Sequence, residues 1–240
     1  MFRKFFDILV PTASRITDGS SQSTEEVSVF ALPNIVLFPE MALPVHVFED
    51  RYKAMAADLA KTDSLLAITP PVEAGSGKPR VGTICSAGRV RIVNRYPDGR
   101  RDLLVVGLKR IRLTRLIQEF PYVTAVAEVI PDIPFLSREE ENLCHRNLSL
   151  LAKRWIFLTP DLDDSLIDYV PLFTKPHRLA DFIAFYFFPS PSAKQVFLEI
   201  TDRRERVDRV IAYAEARIKA LEEGEVNLLS DRKPPLSQCH

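Results

Sequence analysis

The stretch Val29–Glu49 constrains this chain more than any other, because it is dense in apolar residues yet interrupted by Pro33, Pro39 and Pro44. Proline has no backbone donor and its ring clashes with the preceding turn, so no helix runs through three of them at this spacing. Each also pushes the residue before it toward extended backbone. The stretch predicts two short strands, about Val27–Leu32 and Leu43–Phe48, joined by a rigid loop carrying Ile35, Val36, Leu37 and Phe38. A loop this apolar is either folded into a core or kept open for a partner.

Downstream, Tyr52, Met55, Ala56 and Leu59 recur at helical spacing within Asp50–Lys61, and Leu65–Thr69 reads as a short strand. From Val81 to Ile130 the period is two, with Arg89, Arg91 and Val93 alternating with Val90, Ile92 and Asn94. Pro97-Asp98-Gly99 predicts a hairpin turn into Asp102–Leu108, and Gly107 predicts a bend or a bulge in the strand before Arg110–Leu116. After Pro131–Phe135 the pattern turns helical. Ser137 with Glu140 reads as a capping box, ahead of Cys144, Leu148, Leu151, Trp155 and Leu158 on one face. Shorter helical segments are expected over Asp161–Val170, Arg178–Phe188 and from Ser192. A last helix, capped by Asp202 and closed by Gly224, turns Val207, Val210, Ile211, Ala214, Ile218 and Leu221 inward. The fold expected is α+β, a small barrel of six or seven mostly antiparallel strands with one helix, then a helical bundle. The boundaries expected are a flexible leader over 1–26, the barrel over 27–133, the bundle over 134–224 and a tail over 225–240.

Formal net charge is zero, which gives no bulk attraction to nucleic acid or to an acidic membrane. The distribution is uneven, with ten basic residues between Arg80 and Arg115 against Asp98 and Asp102. Cys85, Cys144 and Cys239 are odd in number and far apart, so neither a disulfide framework nor a CxxC knuckle can be built from them. The N-terminus lacks a convincing signal peptide, and no apolar run is long enough to span a membrane, so a cytoplasmic protein is expected. Gly75-Ser76-Gly77-Lys78 imitates a phosphate loop, but Val72 and Pro79 stand where glycine and Ser/Thr are required. Cys144 and His145 are neighbours on a helix and face apart, and His46, His177 and His240 show no ligand spacing. With no GxSxG, HExxH or DxDxDG pattern, no catalytic residue, metal or cofactor is expected, and the chain reads as a non-enzyme.

Several blocks in order resemble the N-terminal, substrate-binding domain of the Lon proteases. They are Leu32-Pro33-Asn34-Ile35-Val36-Leu37-Phe38-Pro39 with Leu43-Pro44-Val45, then Arg80-Val81-Gly82-Thr83-Ile84, then Val105-Val106-Gly107-Leu108-Lys109-Arg110-Ile111-Arg112-Leu113, then Arg178-Leu179-Ala180-Asp181-Phe182-Ile183-Ala184. The resemblance spans roughly Val27–Glu223 and implies a PUA-like barrel followed by a helical bundle. It further implies a stand-alone form of the domain without ATPase and protease modules. The partners it implies are unfolded or client proteins, with an ATP-dependent protease as a further candidate.

Two binding surfaces follow as expectations. Apolar recognition would use Ile35, Val36, Leu37, Phe38 and Met41, together with Phe185 and Phe188, since one helical stripe cannot bury the whole cluster Phe182, Phe185, Tyr186, Phe187 and Phe188. The alternative is an RNA-binding face in which Arg89 and Arg91 on one strand gather with Arg110 and Arg112 on the next. Zero net charge and the lack of an aromatic base-stacking motif weigh against that alternative.

Overall fold

The computed structural model describes residues 23–73, 77–159 and 164–223. Most of the expected leader, the centre of the Gly75–Lys78 loop, Gly224 and the tail lie outside those residues. The chain divides into two units, one made of residues up to Pro131 together with Pro189–Glu199, the other of Asp132–Phe188 with the chain from Ile200 onward.

The first unit holds β1 (Thr24–Ala31), β2 (Ala42–Val47), α1 (Asp50–Leu59), β3 (Leu65–Thr69), β4 (Ile84–Arg95), β5 (Arg101–Gln118), β6 (Val123–Val129) and a short helix labelled α4 below (Pro191–Leu198). Its sheet has six strands in the order β2-β5-β4-β3-β1-β6, and β5 also pairs with β6. Five strands thus return on themselves in a small, unevenly closed barrel, with β2 added alongside the first half of β5. All pairings are antiparallel except β1 with β3. The irregularity expected at Gly107 is present as a register shift within one continuous β5, opposite Ala87 and Gly88. The Pro97–Gly99 turn forms as expected, with Gly99 at φ 87° and the Tyr96 amide donating to Arg100 O at 3.0 Å. Inside the ring, Val27, Val29, Ile111 and Leu113 pack with Ala67, Ala87, Ala125 and Ala127, the small residues that a narrow barrel requires. Burial pushes the Cys85 thiol in this core up to about 12, so it packs as a small apolar residue.

The proline-rich loop crosses β5 at Gly107. The Glu40 amide donates to Gly107 O at 2.8 Å and the Gly107 amide to Met41 O at 2.9 Å. A Cβ on Gly107 would stand 2.2 Å from Phe38 O, so only glycine admits this approach. Two left-handed residues, Asn34 and Glu40, flank the loop.

The second unit consists of α2 (Arg138–Leu158), a 3-10 segment (Asp164–Leu172), α3 (Pro176–Phe187) and α5 (Arg203–Glu222). The Ser137 hydroxyl accepts from the Glu140 amide and the Asp202 carboxylate from the Arg204 and Glu205 amides, so both expected caps form. Helix α3 is the centre of this unit, with Leu179, Phe182, Ile183 and Phe187 all buried. Trp155 of α2 packs on Phe187 and Tyr213, with ring centroids 4.9 and 5.6 Å apart. No helix among the described residues is long and apolar enough to cross a membrane.

Candidate functional site

The surfaces expected from the sequence are largely consumed by the fold. Val36, Leu37, Phe38 and Met41 are buried and Ile35 is half-buried, which corrects their assignment to a client surface. The cause is α4. Its Phe197 ring lies 6.0 Å from that of Phe38, and Gln195 donates to Ile84 O at 2.8 Å. The sequence pattern places this helix in the bundle, whereas it packs on the strands, with Ser190 rather than Ser192 as its N-cap. Phe185 and Phe188 are half-buried, Phe185 edge-on to Tyr186 and Phe188 tilted against Tyr213, at 4.9 and 4.7 Å between centroids.

The arginine face does not assemble either. Arg110 is buried and its Nε donates to Leu198 O at 2.9 Å, while Arg112 lies 3.6 Å from Glu128. Arg89 pairs with Val106 and Ser86 with Arg110. The register therefore offsets even the nearest pair, Arg89 and Arg110, by about four residues, or roughly 13 Å along the strand, and sets Arg91 about twice as far from Arg112.

What the structure offers instead is a groove of about 550 Å³ within the second unit. One wall is the segment Ile133-Pro134-Phe135-Leu136, and the other is the exposed side of α5 with Ala212, Arg204, Asp208 and Arg209. Ile133 and Leu136 leave most of their side chains open to water. The wall is held by main-chain bonds, from the Ile133 amide to Thr201 O at 3.0 Å and from the Arg203 amide to Ile133 O at 3.1 Å. Charged groups on the rim satisfy one another. Arg204 reaches Asp208 at 2.7 Å and Glu140 at 2.7 Å, and Arg209 reaches Glu205 at 2.6 Å. The Asp208 hydrogen bond, above all, raises the Arg204 pKa from its ordinary value. An apolar floor with self-neutralised charges at its edge suits an apolar side chain better than an ion.

The family model of the ATP-dependent protease La (LON) substrate-binding domain matches residues 26–215. The chain belongs to that family. It is similar to a Lon protease of Dictyoglomus thermophilum, 30% identical over 204 residues that make up 82% of this chain and 25% of that protein. Lon protease 2 of Myxococcus xanthus is 30% identical over 186 residues, 76% of this chain and 22% of that one. The chain thus spans about a quarter of the length of these curated relatives. Among solved structures, the N-terminal domain of Mycobacterium avium complex Lon protease matches with a TM-score of 0.59 and 22% identity, covering 80% of this chain and 98% of that one. A Lon N-terminal domain protein from Xanthomonas campestris matches with a TM-score of 0.56 and 20% identity, covering 79% and 98%. At these identities the two structures establish the LON substrate-binding fold.

Beneath the groove of this LON-family chain lies a polar cluster that the sequence reading missed. Arg206 is fully buried, bonds Asp132 and places Nη1 3.8 Å from Asp181 Oδ1. Burial opposes its charge, but Asp181 and Asp132 hold its pKa above the ordinary value. Burial, followed by the nearby Arg203 and Arg206 cations, pushes His177 down to about 3. Asp132 directly precedes the groove wall, so Arg206 pins the wall to α5. The available signal was a charged residue one turn before Val210 on the apolar stripe of α5. Among the described residues no group of three or more His, Cys, Asp or Glu is arranged to hold a metal.

Proposed function

We propose that this chain is a non-catalytic protein-recognition module that holds exposed apolar segments of other polypeptides in the groove of its helical unit. The observation that carries this reading is the open apolar wall Ile133–Leu136 facing Ala212 across a rim whose charges are already paired. Membership of the LON substrate-binding family supports a polypeptide as the ligand. The groove's volume accommodates a few apolar side chains, and a protein ligand with hydrophobic residues in an extended segment would dock without a covalent step.

The test is fluorescence anisotropy with a labelled, permanently unfolded apolar polypeptide. Ala212→Arg projects a long cation over the floor and is expected to weaken binding at least about tenfold, the loss of one well-buried apolar contact. Wild-type affinity should change little with salt. Binding unaffected by Ala212→Arg would overturn the assignment, and so would affinity falling steeply with salt, which is the signature of phosphate contacts.

A further inference from the structure

Helix α2 carries a second apolar feature, on the side opposite its buried face. Leu143, Leu150 and Phe157 recur every seven residues and are 60%, 70% and 77% exposed. Seven residues fall about 20° short of two full helical turns, so the three side chains lie on nearly one line. Isolated exposed leucines are ordinary, but an aligned set of three large apolar residues on one helix is a contact surface.

The charges flanking this line identify its occupant. Glu139 borders it at the N-terminal end and Lys153 at the C-terminal end, while the neighbouring Glu140 and Arg154 are engaged within one copy by Arg204 and Glu222. Among the described residues neither Glu139 nor Lys153 makes an ion pair. We infer that α2 pairs antiparallel with α2 of a second copy of this chain, about a two-fold axis between Arg146 and Asn147. In this register Leu143 meets Leu150 of the second copy on both sides of the axis, and Phe157 lies over the start of its α2. A two-fold axis of this kind brings like flanks together, which sets Glu139 against Lys153 of the other copy. The alternative register, centred on Leu150, would set Arg146 against Lys153 and repel. Antiparallel alignment also opposes the two helix dipoles favourably. The one like-charge contact left is Arg146 with its own copy at the axis. The pairing is isologous and closed, as a stable homodimer requires.

Analytical ultracentrifugation over a concentration series tests this on the full chain, with circular dichroism confirming that each variant is folded. Wild type should be a dimer. Leu150→Glu, at an exposed position remote from the groove, should raise the dimer dissociation constant by at least about a hundredfold. Lys153→Glu should raise it about tenfold, and adding Glu139→Lys to that variant should restore it, because the swapped pair faces itself across the axis. Arg146→Gln should tighten the dimer. A wild type that stays monomeric into the submillimolar range overturns the inference, including the case in which Leu150→Glu then weakens binding of an unfolded polypeptide. A dimer indifferent to Leu150→Glu overturns it as well. Failure of Glu139→Lys to rescue Lys153→Glu overturns the antiparallel register. Ala212→Arg, which probes the groove, should leave dimerisation unchanged, so the two readings fail separately.

Discussion

Replacing Arg206 by methionine should destabilise the helical unit by about 3–5 kcal/mol, the range for removing one partner of a buried ion pair. Burial of both groups, rather than a close contact, sets this magnitude. The Arg206 side chain is 0% exposed and that of Asp181 4%, with Nη1 and Oδ1 3.8 Å apart. Methionine preserves the stem and most of the packing, so the loss is electrostatic. It leaves Asp181 a buried carboxylate without its guanidinium and removes a bond from Asp132. The assay is urea unfolding followed through Trp155, the chain's one tryptophan, which reports on this unit through its contacts with Phe187 and Tyr213. The midpoint should fall with little change in slope. Adding Asp181→Asn should recover about 2 kcal/mol, because a neutral amide no longer needs the cation. A loss below about 1 kcal/mol for Arg206→Met would refute the reasoning, since it would place the pair in a solvent-screened setting worth no more than a surface bridge.

Two further outcomes follow from the same contacts. Gly107→Ala should cost about 2–3 kcal/mol in the strand unit, because its Cβ would meet backbone at Phe38 rather than a side chain able to move aside; amide exchange at Glu40 and Gly107 should accelerate, and unchanged exchange would refute the close approach. His177, held at about 3 in the fold against an ordinary 6.5, should make stability fall as pH drops. Below about 6.5 the unfolded chain binds a proton that the native state refuses, which costs about 2 kcal/mol by about pH 5. Urea titrations of His177→Leu should show a flatter slope across that interval by about one proton, and an identical slope would exclude His177 as the titrating group.

Much of the fold was legible because its signals are local. Prolines at 33, 39 and 44 forbid a helix, Pro97-Asp98-Gly99 sets a hairpin, and Ser137 and Asp202 mark helix starts with side chains that reach only three residues on. Contacts between distant segments were less legible. Whether β1 pairs with β3 in parallel, whether α4 lies on the strands, and how far Arg89 sits from Arg110 depend on register and on packing between segments tens of residues apart. The groove was illegible for the same reason, since its walls come from Ile133–Leu136 and from α5 and are joined by a bond between Asp132 and Arg206. Only a charge on an apolar stripe hinted at it.

Density of apolar residues in the sequence proved a poor guide to availability, and the energetics say why. Exposing Leu37, Phe38 and Met41 together would forgo about 1.5–3 kcal/mol for each, a large fraction of what keeps a domain folded. A dense run is therefore drawn inward wherever the chain can cover it, here by α4 through Phe197. Residues spread one per two turns through a charged helix are different, because burying any one of them would drag Glu139, Arg146 or Lys153 out of water with it. Such a stripe stays outside at small cost to the monomer and becomes useful only to a partner with a matching line of its own. Surfaces that bind are then to be sought where apolar residues are periodic within polar surroundings, as at Leu143, Leu150 and Phe157, rather than where they are most concentrated.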